Sequence, residues 1–152
     1  MTLLSGLSQI EIAAPIERCW ALVQDVAGSP AWQRGLERVD VIERDGAGRV
    51  TLCDTITDAR FTKVRCRVQV SYEPPHRVRF QRVASEDLDA MEASWELVEM
   101  PGGHTHATWR LAVDPGPVGL LARPLERVLR PLVVGQRAPE LARAVVRAAP
   151  PS

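Results

Sequence analysis

A chain of 152 residues, 45% of them hydrophobic, is long enough for one domain with a single sizeable core. Its 19 basic and 19 acidic residues cancel, so no net field draws it to nucleic acid or to an anionic membrane surface. Cys19, Cys53 and Cys66 are odd in number and lack CxxC spacing, which argues against a disulfide framework and a zinc site and fits a reduced cytoplasm. No basic leader precedes an apolar run, and nowhere do about 18 apolar residues stand together. The expectation is a cytoplasmic protein without stable membrane insertion.

In chain order, "SQIEIAA" reads as a first strand. Ile16, Cys19, Trp20 and Val23 then fall at i, i+3, i+4 and i+7, the spacing of one helix face, and Pro15 suits the first turn. A helix is predicted from about Pro15 to Val26, with Trp20 in the core. Gly28 provides a left-handed stop, and Ser29 followed by Pro30 reads as the N-cap and first position of a second short helix that carries Trp32. Beyond Gly35, β-rich runs occur near 36–45, 49–57, 61–72, 77–84, 88–99 and 104–113. The turns "DGAGR", "TDAR", "EPPHR" and "MPGGH" lie among them. These gaps suit hairpins, so an antiparallel meander is expected. From about Val118 to Ala148 helical spacing returns, with Leu121, Leu125, Val128, Leu129 and Leu132 on one face. Pro131 predicts a kink in it, or a break near Gly135 with a restart at Pro139.

Strand, two helices, six strands and a long helix make an α+β chain with helices at both ends of a seven-stranded antiparallel sheet. The run "IEIAAPIERCWALVQDVAGSPAWQRGLERVDVIERDGAGRV", with "VSYEPPHRVRF" and "ASWELVEMPGGHTHATWRLAVDPG", resembles the START-like, or SRPBCC, helix-grip superfamily. Within it the likeness is to the polyketide cyclase/dehydrase and coenzyme Q-binding group. The resemblance implies one domain over residues 1–149, followed by a loose tail at 150–152. It implies a curved sheet wrapped around the C-terminal helix, with an apolar cavity between them for a lipid, quinone or polyketide. It also implies that Trp32 lies at the cavity mouth, as a lid on a flat ligand or as a staple to the sheet edge.

Strand parity identifies the lining independently. In "TKVRCRVQVSY", Val64, Cys66, Val68, Val70 and Tyr72 share one face, and Lys63, Arg65, Arg67 and Gln69 the other. Met91, Ala93, Trp95 and Leu97 alternate with polar residues, as do Ala107, Trp109, Leu111 and Val113, and a turn over Pro101–Gly103 sets Trp95 opposite Trp109. The expected lining is Val68, Val70, Phe80, Met91, Trp95 and Leu111, with Trp109 as packing partner or cavity wall. A tight turn at Pro74–His76 aligns Val70 with Phe80 and Val68 with Arg82. Arg82 then faces inward to meet a ligand anion, unless a bulge near Val83 turns it to solvent.

The sequence offers no nucleophile elbow, HExxH, P-loop or strand–GxGxxG–helix, and no cofactor is implied. His104 and His106 share a polar strand face with no third ligand evident, and His76 sits in a Pro-rich turn; surface roles are expected for all three. The direction of Asp54 is open, because the register of "VTLCDTIT" is ambiguous. The first function expected is binding or transport of a hydrophobic small molecule. A polyketide aromatase/cyclase or dehydratase is the alternative, which the outward Arg65 and Arg67 weaken because the resembling cyclases carry an inward arginine there. A protein-interaction module is the third reading.

Overall fold

A computed structural model describes residues 4–58, 63–114 and 136–148. Seven strands form one antiparallel sheet: β1 (Leu4–Ile12), β2 (Leu36–Arg44), β3 (Val50–Asp58), β4 (Lys63–Glu73), β5 (Arg77–Ala84), β6 (Ala90–Met100) and β7 (His104–Asp114). Their spatial order, β1-β7-β6-β5-β4-β3-β2, is the expected meander closed by the first strand returning beside the last. β1 is longer than its sequence signal, starting at Leu4, because all nine of its residues pair with β7. Gly102 and Gly103 (φ 82° and 76°) supply the left-handed backbone of the β6–β7 turn, and Trp95 lies opposite Trp109.

Alternation sorts the sheet into two faces as the parity predicts. Val64, Cys66, Val68 and Val70 are buried, and the residues between them are exposed. Asp54 receives a definite direction: it pairs across the ladder with Arg67, and its carboxylate accepts from Arg67 Nε and Nη2 at 2.9 and 3.1 Å on the outer face. His104 and His106 are also on that face, against Glu11 and Gln9. His76 is exposed, as its place in the turn predicts, and its Nδ1 lies 3.1 Å from the carbonyl oxygen of Leu97.

Helix α1 (Ile16–Val23) buries Ile16, Cys19, Trp20 and Val23 on the inner face. It stops three residues earlier than its apolar pattern suggests, because Asp25 starts a 3₁₀ helix (Val26–Ala31) and accepts from the Gly28 amide at 3.2 Å. Gly28 therefore lies inside that 3₁₀ helix instead of ending α1, and Ser29 is buried within it instead of capping a new helix. The described part of the C-terminal helix, α2 (Arg137–Arg147), starts just beyond Gly135 and two residues before Pro139. The stretch expected from Val118 to Gly135, with the kink at Pro131, lies outside the described residues. Helices α1 and α2 pack together over β1, β6 and β7, and Arg18 Nη2 donates to the Val145 carbonyl at 2.9 Å.

Burial of the inner face also sets its response to alkali. Burial pushes the Cys53 thiol up to about 12, helped by the Asp54 charge, and the Cys66 thiol up to about 11, while burial also raises the Tyr72 hydroxyl. The unfolded thiols ionise near the ordinary 9.0. The stability from these neutral thiols is therefore complete below about pH 9 and is lost as pH rises through the folded values. Urea unfolding between pH 8 and 11 should show stability falling, by at most about 1.4 kcal/mol per pH unit for each thiol. The Cys53→Ala variant should fall less steeply above pH 9.

Candidate functional site: an aromatic inner face closed by a buried ion pair

The inner face is ordered in rows across the strands. In one, Tyr72, Val78, Trp95, Trp109 and Ser8 are successive cross-strand partners. In the next, Val70, Phe80, Ala93, Leu111 and Gly6 are partners. Ala93 ends at its Cβ, so this second row dips between Phe80 and Leu111. Tyr72 closes one end of the face, donating its hydroxyl to the Val50 carbonyl at 2.5 Å and meeting Trp20 edge-on. Towards the other end, Phe80, Met91, Leu111 and Val113 are only half-buried.

Four aromatic rings form a series through the core, with half-buried Trp32 and Phe80 at its two ends. Trp32, the C-cap of the 3₁₀ helix, lies 5.9 Å from Trp95, which lies 5.1 Å from Trp109, which lies 6.0 Å from Phe80. All three contacts are tilted or edge-on, the arrangements that aromatic quadrupoles favour. Trp32 is half-buried, so it stands at the rim with one side against the core. Trp95 and Trp109 are both enclosed, at 0% and 6% exposure.

Over these rings sits a buried ion pair that the sequence reading missed. Arg137 Nη1 and Glu140 Oε1 are 3.0 Å apart, and each side chain is only 4% exposed. Glu140 Oε2 accepts from the Arg34 amide at 2.6 Å, and Arg137 Nη1 donates to the Arg34 carbonyl at 3.1 Å. The pair thus clamps one residue of the loop that follows Trp32. Arg137 also lies over Trp109, its Cζ 6.0 Å from the ring centroid. Burial pulls the guanidinium below its ordinary pKa, opposed by the Glu140 charge. Ser8, beside Trp109, accepts from the Ala138 amide at 3.1 Å and satisfies one of the free N–H groups of the first turn of α2. A signal for the pair existed: Arg137 falls on the helical face of Leu141 and Ala144, with Glu140 at i+3.

Arg82 keeps the register expected from the Pro74–His76 turn, opposite Val68, because the bulge falls beyond it and skips Val83. Its guanidinium, however, donates to the Leu88 carbonyl at 2.6 Å and the Ser85 carbonyl at 3.1 Å, and so holds the β5–β6 loop. Elsewhere, an open groove of about 640 Å³ on the outer face is bordered by Arg77, Arg79, Glu92, Glu96 and Arg110. Its charged rim suits water better than an apolar molecule. Among the described residues no group of three His, Cys, Asp or Glu side chains is placed to hold a metal ion, and no helix is long and apolar enough to cross a membrane.

A curved antiparallel sheet with helices packed on its inner face, and with aromatic residues leading from rim to core, defines a START-like helix-grip domain. The chain belongs to the polyketide cyclase/dehydrase and lipid transport family, whose model matches residues 7–148. No match is found among curated proteins. Among solved structures, a Thermus thermophilus protein is 23% identical with a TM-score of 0.80, over 97% of this chain and 100% of its own. The Zhui aromatase/cyclase of Streptomyces sp. R1128 is 12% identical with a TM-score of 0.77, over 96% and 95%. A START superfamily protein of Mycobacterium smegmatis is 18% identical with a TM-score of 0.70, over 97% and 99%. At these identities the likeness is one of fold.

The ion pair gives a direct stability test. Glu140→Ala leaves a buried guanidinium and the Arg34 amide without their partner, so urea unfolding should show a loss of about 3 to 5 kcal/mol. The double variant Arg137→Met/Glu140→Leu removes both charges and should recover most of that loss. Additive losses from the two single changes would show that the charges do not act as a pair.

Proposed function

We propose that this protein binds or carries a hydrophobic small molecule, a lipid, quinone or polyketide-like compound, on the inner face of its sheet. The observation that carries the reading is the continuous series Trp32–Trp95–Trp109–Phe80, which runs from the rim through the core to half-buried Phe80, beside half-exposed Met91 and Leu111. Aromatic and aliphatic walls with few polar groups are the usual composition of a small-molecule site. In this reading Val68 and Val70 form the floor, Phe80, Met91 and Leu111 the wall, and Trp95 and Trp109 the base. Trp32 is the lid, and Arg82 borders the mouth while holding its loop. The family's description, which includes both polyketide cyclases and lipid transport, supports this class of ligand. The buried free thiols of Cys19, Cys53 and Cys66 fit a cytoplasmic location.

Carriage is favoured over cyclisation by how the polar groups are used. A cyclase needs, besides donors that polarise a carbonyl, a group free to move a proton. Among the described residues near the rings, Arg82 is committed to two backbone carbonyls, and Glu140 to Arg137 and the Arg34 amide. Further along, His76 sits against the Leu97 carbonyl.

Native mass spectrometry of the purified protein should show a copurified hydrophobic ligand. Titration with the neutral dye N-phenyl-1-naphthylamine should saturate at one dye per chain and quench tryptophan fluorescence. Part of that quenching should disappear in Trp32→Phe and persist in Trp20→Phe, whose ring lies at the Tyr72 end. Equal quenching in wild type and Trp32→Phe would remove the lid role, and failure of the dye to bind would remove the small-molecule reading.

A further inference from the structure

Among the described residues three buried side-chain donors have no hydrogen-bond partner: Trp95 Nε1, Trp109 Nε1 and Arg137 Nε. They are not scattered. Trp95 and Trp109 are in ring contact at 5.1 Å, and the Arg137 guanidinium lies over the Trp109 ring at 6.0 Å. Each belongs to a side chain more than nine-tenths buried. A buried donor without a partner forfeits its hydrogen bond to water with nothing in exchange, so native proteins rarely keep three in one cluster without use. The neighbouring polar groups are satisfied: Ser8 Oγ takes the Ala138 amide, Glu140 takes Arg137 and the Arg34 amide, and Thr105 Oγ1 donates to the Ala14 carbonyl at 2.8 Å. What the cluster lacks is an acceptor.

We propose that Trp95 Nε1–H, Trp109 Nε1–H and Arg137 Nε–H form a donor subsite at the base of the inner face, which takes an oxygen of the bound molecule. This rests on the small-molecule reading above and narrows it. The ligand class is an unsaturated ring that carries a carbonyl or phenolic oxygen. Such an oxygen presents lone pairs to the indole N–H groups while its ring replaces water against Phe80 and Leu111, which flank the dip at Ala93. The Arg137 charge strengthens hydrogen bonds to an oxygen that carries partial or full negative charge. A plain acyl chain or unsubstituted hydrocarbon fills the same apolar space and leaves all three donors unpaired. The subsite therefore selects by penalty as well as by attraction, because a ligand lacking the oxygen strands buried polar groups.

The test uses naphthalene, 1-naphthol and 1,4-naphthoquinone as probes on the full chain. Indole N–H resonances of the ¹⁵N-labelled wild type, assigned with Trp95→Phe and Trp109→Phe, should move downfield for Trp95 and Trp109 with naphthoquinone and naphthol but not with naphthalene, which controls for ring currents. Calorimetry should show the oxygenated probes binding at least about tenfold tighter than naphthalene, the equivalent of one or two net hydrogen bonds. In Trp109→Phe, which keeps a ring but removes its donor, that ratio should fall about three- to tenfold. Naphthalene and naphthoquinone binding equally, with the two indole resonances unmoved, would overturn the donor subsite and leave hydrophobic binding intact. Binding of none of the three probes would overturn both readings. The wild-type spectra decide the question even if a tryptophan variant fails to fold.

Discussion

Taking the Arg137–Glu140 pair out of water is tolerable only if its hydrogen-bonding groups find partners, and much of the architecture follows from where they find them. Two charges with side chains 4% exposed cost several kcal/mol each to desolvate, and their mutual attraction offsets this only when further hydrogen bonds complete the geometry. The partners are both backbone groups of Arg34. That choice locks α2 to the segment between the 3₁₀ helix and β2, and so sets where Trp32 stands. A hydrophobic contact in the same place would slide; two hydrogen bonds to one peptide residue permit little slippage. The pair is therefore better read as a device for registration than as a source of net stability.

Registration matters because the inner face changes character along the strands. At the Tyr72 end the rows are filled by Val50, Cys53, Val70 and Val78, and α1 seals them. Towards Arg82 and Met91 the apolar side chains become half-exposed, and the β5–β6 loop is held across the sheet end by Arg82. A face both tightly packed and partly open needs its covering elements held from outside the packing itself. The Arg34 clamp and the Ser8–Ala138 hydrogen bond do this at opposite sides of α2's first turn.

The sheet was legible in the sequence because a period of two leaves no freedom once one face is buried: a slip of one residue in β4 would expose Val64, Cys66, Val68 and Val70 together. The Trp95–Trp109 pairing and the Val68–Arg82 register were readable for the same reason. Two local features were not. Asp25 competes with Gly28 for control of the chain after α1, and a carboxylate that accepts from an amide three residues ahead starts a 3₁₀ turn where composition alone reads as a glycine stop. Parity also gave the face of Arg82 but not its partners, because a long side chain chooses among carbonyls that only the folded loop brings near. Arg137 and Glu140 were missed for a different reason. Charged residues on a helix read as its solvated side unless the apolar stripe is traced through them, and here Leu141, Ala144 and Val145 carry that stripe across both.

Polar groups enclosed by this fold are thus treated in two ways. Those that hold elements together are paired: Glu140 with Arg137 and Arg34, Ser8 with Ala138, Thr105 with Ala14, Tyr72 with Val50. Those left unpaired among the described residues, two indole N–H groups and one guanidinium N–H, sit at the aromatic base of the face that is open at its rim. Random imperfection would distribute such costs over the core, whereas a binding function concentrates them where a ligand can relieve them. Filling these positions with phenylalanine would be expected to stabilise an empty domain, since it removes donors without partners and keeps the rings. That tryptophan stands at both positions is understandable if what was selected is the occupied protein, in which stability deferred at the base of the face is recovered on binding.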